Sequence, residues 1–355
     1  MGNNFTNRFI LESLGLPIIT DLDSLSDTLG LSKRVIYLLT LKNDKYYRNN
    51  PIKKRDGSLR DVVKPSYSMK LIQRWLLKEV LEKIKTTDES MAFKKGTSGG
   101  IIKNAEAHRY SMYILQLDIQ DFFPSIDRAR VFFVFKNIGY NDFVSNVFAN
   151  MCTYKGTLPQ GAVTSPYISN LVCYRLDKRL KGLCNKYDTN YTRYADDLTF
   201  SCDNKQTLRM LRKRIEFIIE CEGFKLNHNK TRFLSPGSKM SITGITINDK
   251  RLNANKELKK KVRAMIHNAI MNGDYGNNDK IRGYIAHINF IEEGYRKNII
   301  NYINKIGQKI TYDNQLVNKF NDNRLYKEVP LLSYDPDEYD PEDYPLDDSN
   351  IDDIF

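Results

Sequence analysis

The chain has 355 residues, with Lys+Arg 55 against Asp+Glu 43, 41% hydrophobic and 28% charged. That length and composition suit a folded protein of roughly two or three domains and exclude a largely disordered one. The net charge of +12 is uneven: residues 328–355 hold 11 acidic residues and no Lys or Arg, leaving residues 1–327 at +23. That body lies far above the magnitude of about 2–8 usual for a small domain. With 22 Tyr and 17 Phe, it points to a polyanionic partner with rings available for stacking. No run of about 18 apolar residues occurs, so no membrane partner is expected. The N-terminus, Met1-Gly2-Asn3-Asn4-Phe5, lacks the basic-then-apolar order of a signal peptide. Five cysteines without CxxC spacing and only four His argue against zinc or a disulfide framework. A reducing cytoplasm is the expected setting.

In chain order, residues 5–42 read as helical, with Leu25, Leu29, Leu31, Val35, Leu38 and Leu39 at helical spacing. Asp56-Gly57 between basic flanks predicts a hairpin turn, and Pro65 ends its second strand. A helix is expected over 68–85, and residues 96–100 read as a flexible loop. Tyr113–Ile119 is a near-continuous apolar run, as in a central buried strand. Residues 129–151 read as one helix. Ser165-Pro166 opens another, to about 182, with Ser as N-cap and Pro at the first helical position. Tyr191–Ser201 reads as two short strands around a turn, 207–222 as an amphipathic helix, and Ser241–Ile247 as a strand. Residues 255–310 read as helical and strongly basic. The acidic end, with Pro336, Pro341 and Pro345, reads as disordered.

The chemistry concentrates in the middle. In Tyr194-Ala195-Asp196-Asp197, side chains at i and i+1 of a strand would point to opposite faces, so a tight turn is needed to aim both carboxylates at one spot. Held that close, they repel unless a cation lies between them, and Mg²⁺ takes carboxylate and phosphate oxygens. Asp118, at the end of the buried strand, supplies a third carboxylate. Three acids on adjacent strand ends suit two Mg²⁺ ions about 4 Å apart, which clamp the attacking and leaving oxygens of a phosphoryl transfer. An Asp-Asp pair alone is more often a turn or a cap.

The order of segments carries more than any one of them. Asp118-Ile119-Gln120-Asp121-Phe122-Phe123, Leu158-Pro159-Gln160-Gly161-Ala162-Val163-Thr164-Ser165-Pro166, Tyr194-Ala195-Asp196-Asp197 and Gly223–Thr231 resemble, in sequence, motifs A to D of the reverse transcriptases. Asn104-Ala105-Glu106-Ala107-His108, Ile242-Thr243-Gly244 (Ile replacing the usual Val) and Leu14-Gly15-Leu16-Pro17 resemble segments of the bacterial retron enzymes. The resemblance covers roughly residues 8–310. It implies an α+β right-hand polymerase: an N-terminal helical segment (1–44), fingers (45–105), a palm with an antiparallel sheet (106–250), a helical RNA-binding thumb (251–327) and the disordered acidic tail (328–355).

Residue roles follow from the same resemblance. Asp118, Asp196 and Asp197 would be catalytic and hold two Mg²⁺. Phe123 matches the steric gate that crowds a 2′-hydroxyl, with a plain core aromatic as the other reading. Gln160 and Gly161 would line the nucleotide pocket, glycine letting the backbone approach the templating pair. Lys54, Arg55 and Arg60 would grip the triphosphate, Arg60 matching the motif best and a solvated charge run being the other reading of Lys54 or Arg55. Lys230 is placed either as a general acid for pyrophosphate or as an exposed lysine after a turn. Arg193 is available to nucleic acid or to a carboxylate. Asn104 and His108 would contact RNA, or His108 would satisfy a buried partner. The run with Lys256, Lys259, Lys260, Lys261 and Arg263 suits RNA backbone.

The partners so implied are a cognate non-coding RNA, the msDNA made from it, dNTPs and an effector protein held in check in anti-phage defence. Priming would come from the 2′-hydroxyl of an internal guanosine, giving branched RNA–DNA. The alternatives are a group II intron-like or diversity-generating reverse transcriptase, disfavoured by the Asn104–His108 segment, and a non-catalytic RNA-binding scaffold, disfavoured by the intact Asp set. The terminal Asp352-Asp353-Ile354-Phe355 resembles the tip of bacterial single-stranded DNA-binding protein. It would dock a replication or repair protein or the effector, screen the basic body, or simply aid solubility.

Overall fold

The computed structural model describes residues 6–53, 57, 59–60, 62–94, 96 and 99–307; for Leu59, Arg60 and Gly307 it describes the backbone only. Lys54, Arg55 and the whole acidic tail with Asp352, Asp353, Ile354 and Phe355 lie outside the described residues.

In chain order the elements are α1 (Arg8–Ser13), α2 (Leu22–Leu29), α3 (Lys33–Leu41), β1 (Tyr47–Asn49), β2 (Ile52–Lys53), β3 (Leu59–Arg60), β4 (Val63–Pro65), α4 (Tyr67–Glu79) and α5 (Gly100–Glu106). Then come β5 (Tyr113–Asp118), α6 (Arg128–Ile138), α7 (Asp142–Cys152), α8 (Ser165–Val172), α9 (Tyr174–Asn185), β6 (Asn190–Tyr194), β7 (Asp197–Cys202) and α10 (Lys205–Cys221). The chain continues through β8 (Arg232–Leu234), β9 (Ser241–Ile242), β10 (Ile245–Thr246), α11 (Lys256–Asn272), α12 (Asn278–Ile291) and α13 (Tyr295–Gly307).

Several long predicted helices are broken where the backbone has a local reason to turn. The stretch 129–151 divides at Gly139, whose φ of 125° a side chain would resist, and Asn141 then caps α7 by accepting from Val144 N. Residues 165–182 divide at Cys173, which leaves helical geometry at ψ 1°. The basic stretch after 255 becomes three helices separated at Gly273 and Gly294, both at positive φ. The strand expected over 241–247 is a tight hairpin: Ile242 pairs with Ile245, and Thr243 and Gly244 both have positive φ, the pattern of a type I′ turn.

The described residues divide into two compact units. The first comprises 6–100 and 111–233, and the second 101–110 and 234–307. The core of the first is a four-stranded sheet in the order β6-β7-β5-β8. β7 is central and pairs antiparallel with β6 and β5. From Leu198 to Cys202 every residue of β7 is buried, on both faces. Cross-strand partners Tyr191 and Phe200 stack at 4.9 Å, the kind of pair that fixes register. Helices α9 and α10 lie against this sheet. In the second unit α11, α12 and α13 pack pairwise through Val262, Ile266, Ile281, Ile285, Ile288, Ile299 and Ile303. Among the described residues no helix is long and apolar enough to cross a membrane.

Candidate active site

Strands β5 and β7 end together. In their register Asp118 is the direct partner of Asp197. Like charges opposite each other on a sheet repel, so this pairing needs compensation. Tyr194 pairs with Asp197, which leaves Ala195 and Asp196 as a two-residue hairpin loop. Only the first of these has positive φ (57° at Ala195), the sign pattern of a II′ turn that ordinarily takes glycine. An alanine there costs about 1 kcal/mol. Strain of this sort is kept where the surroundings enforce it, often at functional sites. The turn therefore brings Asp196 and Asp197 to the strand end where Asp118 lies.

Backbone bonds fix the exit of β5. Ile119 N donates to Asp196 O at 3.0 Å, Asn227 N donates to Asp118 O at 2.8 Å, and Gln120 N donates to Lys225 O at 2.8 Å. The segment 225–227 thus closes one side of the site and the hairpin turn the other. Lys230 follows this segment, and its Nζ donates to Asp118 Oδ2 at 2.8 Å. The bond to Asp118 leads the causes that raise the Lys230 pKa. Asp197 has an open edge but lies deep enough that desolvation, then the charges of Asp196 and Asp118, push its carboxyl up to about 6, with Lys230 and Arg232 pulling the other way. A cluster of hard carboxylate oxygens short of positive charge has the donor chemistry of a divalent cation site. Among the described residues no three such groups converge as a ready cage, and Lys230 engages one oxygen of Asp118.

Phe123 is half-buried between Phe122 (5.4 Å between ring centroids) and Phe93 (6.3 Å). Phe93, which sequence reasoning missed, is exposed and has a left-handed φ of 61°. Gln160 O accepts from Val63 N at 2.7 Å. At Gly161 the φ is 115° and an added Cβ would lie 2.9 Å from both Val62 Cγ1 and Val63 O. A close approach of the chain at 62–63 thus by itself demands glycine at 161. Arg60 is described only as the strand partner of Ile52.

Two residues expected to touch RNA are placed otherwise. Arg193 has no exposed side-chain surface and forms a two-pronged ion pair with Asp177: Nε to Oδ1 at 2.8 Å and Nη2 to Oδ2 at 2.7 Å. Of its two readings the carboxylate contact is the one present, because the guanidinium has no face left for nucleic acid. His108 is wholly buried, and burial pulls its pKa down to about 3, so the ring is neutral. Asn104 is buried too, with its Nδ2 3.5 Å from Thr243 Oγ1, so the two segments singled out at 104–108 and 242–244 meet inside the second unit.

On α11, Lys256, Lys260, Lys261 and Arg263 are exposed, whereas Lys259 turns inward to Glu292 at 2.7 Å. Lys261 lies 5.4 Å from the Tyr284 ring and Arg263 5.7 Å from the Tyr302 ring. Asp177 and Asn170 also escaped sequence reading. A carboxylate on the inner stripe of α9, in line with Cys173, Leu180 and Cys184, was the signal available.

Comparison with known proteins fits this geometry. Residues 52–247 match the family described as reverse transcriptase (RNA-dependent DNA polymerase). The chain is 34% identical over 307 residues to the retron Ec86 reverse transcriptase of Escherichia coli, covering 86% of this chain and 95% of that one. It is 32% identical to the retron Mx162 reverse transcriptase of Myxococcus xanthus over 70% of this chain and 59% of that longer one. It is 27% identical to the retron Ec83 reverse transcriptase of Escherichia coli over 76% of this chain and 94% of that one. With the family match spanning more than half the chain and the paired carboxylates at its strand ends, the chain belongs to the bacterial retron reverse transcriptases and is an RNA-directed DNA polymerase.

Proposed function

We propose that the chain copies a structured non-coding RNA into DNA, starting from the 2′-hydroxyl of an internal guanosine, and so makes branched RNA–DNA (msDNA). The observation that carries the catalytic part is the register that sets Asp118 opposite Asp197, with Asp196 in the adjoining turn. These three carboxylates would hold two Mg²⁺ ions, which when bound activate the attacking hydroxyl and neutralise the triphosphate and leaving pyrophosphate. The chain's own groups do the rest. Phe123, backed by Phe93, would crowd the sugar 2′ position and favour dNTPs. Lys54, Arg55, Arg60, Gln160 and Gly161 would bound the nucleotide. Lys230, already beside Asp118, would hold that carboxylate in place and release a proton toward pyrophosphate.

In this reading residues 45–105 are fingers, 106–250 palm and 251–327 thumb. Exposed Lys256, Lys260, Lys261 and Arg263 would follow RNA phosphates, with Tyr284 and Tyr302 beside two of them. Template RNA shape and backbone would dominate its selection. A role in anti-phage defence with an effector protein, and docking of the acidic tail on a replication or repair protein, rest on family resemblance and tail chemistry respectively.

The test is extension on the cognate RNA with Mg²⁺ and dNTPs. The wild type is expected to make DNA joined through a 2′-hydroxyl, and Asp196→Asn to make none. Replacing the priming guanosine by its 2′-deoxy form is expected to abolish initiation while extension of a supplied primer continues. DNA made equally by Asp196→Asn would refute the catalytic assignment, and initiation on the 2′-deoxy RNA would refute the priming one.

A further inference from the structure

The turn that presents Asp196 is strained, and the bonds that hold it come from inside the protein. The carbonyl of Asp196 accepts from Ile119 N at 3.0 Å. The preceding carbonyl, of Ala195, accepts from Arg193 Nη1 at 3.3 Å. That same Nη1 donates to Asn170 Oδ1 at 3.1 Å, while the other two guanidinium nitrogens each donate to Asp177. Asp177 accepts in addition from Thr87 Oγ1 at 2.6 Å and Tyr191 OH at 2.8 Å. Burial opposes charge on Arg193 and the adjoining Asp177 favours it, and the balance raises the pKa, so the guanidinium stays charged.

The backbone of Arg193 is engaged as well. Arg193 N donates to Glu89 O at 2.8 Å, and Met91 N donates to Arg193 O at 2.7 Å, so residues 89–91 run along the free edge of β6. Asn170 Nδ2 donates to Ala92 O at 3.0 Å, fixing the residue before Phe93. The buried Arg193 side chain therefore meets the turn that presents Asp196 and the helix that follows the Gln160-Gly161 segment, while its backbone and the Asn170 side chain hold the strap leading to the ring behind Phe123.

Such a device is costly. Two ions removed from water are seldom more stable than a well-packed apolar pair. A function that needs fixed geometry is a reason to keep it, because phosphoryl transfer loses rate when reacting groups move by about 1 Å. We propose that Arg193, held by Asp177 and Asn170, is a positioning residue that fixes the Ala195–Asp196 turn and thereby sets the rate of nucleotide addition. The proposal rests on Asp118, Asp196 and Asp197 being the catalytic carboxylates.

The experiment measures kcat and KM for dNTP addition to a supplied primer on an RNA template. It also measures template Kd, melting temperature, and the Mg²⁺ concentration giving half-maximal rate. Arg193→Met combined with Asp177→Asn removes both charges and leaves an acceptor for Tyr191 or Thr87, so no unpaired ion is buried. Arg193→Lys keeps a cation beside Asp177 but cannot make the two-pronged contact and reach Ala195 O together. All rates are taken per folded molecule, well below each melting temperature.

The expected result is a kcat at least tenfold lower in the double variant and a smaller loss in Arg193→Lys. Half-maximal Mg²⁺ should rise at least threefold, with KM for dNTP and template Kd within twofold of wild type. A kcat and Mg²⁺ dependence within twofold of wild type in either variant would overturn the proposal, as would losses that vanish once the unfolded fraction is removed. Asp196→Asn run in parallel separates the two claims. If it stays active, the catalytic reading fails. If it is dead while the Arg193 variants keep wild-type kcat, only the positioning proposal fails.

Discussion

In the sheet unit, Arg193 and Asp177 meet with no solvent exposure on either side chain. In the helical unit, Lys256, Lys260 and Arg263 stand exposed along α11, and Lys260 meets Glu257 only at 3.7 Å between two exposed groups, while the inward-turned Lys259 makes the short pair there, with Glu292. The first arrangement is rigid and every prong of it is matched; the second is loose and screened by solvent. Each suits a different task. Carboxylates that must aim at one phosphorus need a fixed frame, while cations that follow a polyphosphate backbone need reach and number. Under the proposed function, charge in the first unit would serve geometry and charge in the second affinity.

The largest expected break of this contrast is at Asp118. Asp118→Asn removes a carboxylate that direct strand pairing has set opposite Asp197, and loss of several kcal/mol of transition-state stabilisation corresponds to about a thousandfold or more in kcat. Single-turnover extension on preformed template complexes checks it. Next is Asp177→Ala, which leaves the Arg193 charge buried and unpaired. A stability loss of about 3–5 kcal/mol is expected by urea denaturation, several times that of any single exposed lysine.

His108 sharpens the contrast from the second unit's interior. Its folded pKa is depressed to about 3 against an ordinary 6.5. Above pH 6.5 both folded and unfolded chains hold it neutral and its contribution is constant. As pH falls below 6.5 the unfolded chain takes up a proton that the folded chain refuses until about pH 3. Stability should therefore decline by about 1.6 kcal/mol between pH 6.5 and 5. Denaturation curves at the two pH values check it, and His108→Gln should flatten the difference by that amount.

The smallest effect is expected on the surface of α11. Lys260→Ala should change stability by less than about 0.5 kcal/mol. It should weaken RNA binding to a similar degree for different sequences and lower the slope of log K against log salt by about 1. Fluorescence anisotropy over a salt series reads both.

These outcomes separate what the sequence made legible from what it could not. The strand at 113–118 was plain because its apolar run is nearly unbroken, and the turn at 195–196 because two adjacent acids at a strand end need one. The grouping of Asp118, Asp196 and Asp197 at adjoining strand ends followed from spacing and resemblance together. Arg193 was not legible. Its partner Asp177 is distant in sequence, and an arginine before an Asp pair fits an RNA contact as well as a buried ion pair until packing decides. His108 was half legible for the same reason. The breaks at Gly139 and Cys173 were missed because apolar spacing ran on across them, and the packing of Val62 and Val63 against Gly161 was not legible because they come from another part of the chain.

The account turns on whether the carboxylates at the ends of β5 and β7 do the chemistry. The rate of first-nucleotide addition by Asp197→Asn, at saturating Mg²⁺ and with template affinity shown equal to wild type, tests this most directly. A fall of about a thousandfold or more with unchanged RNA binding is the expected result. A rate within a few fold of wild type would contradict the account.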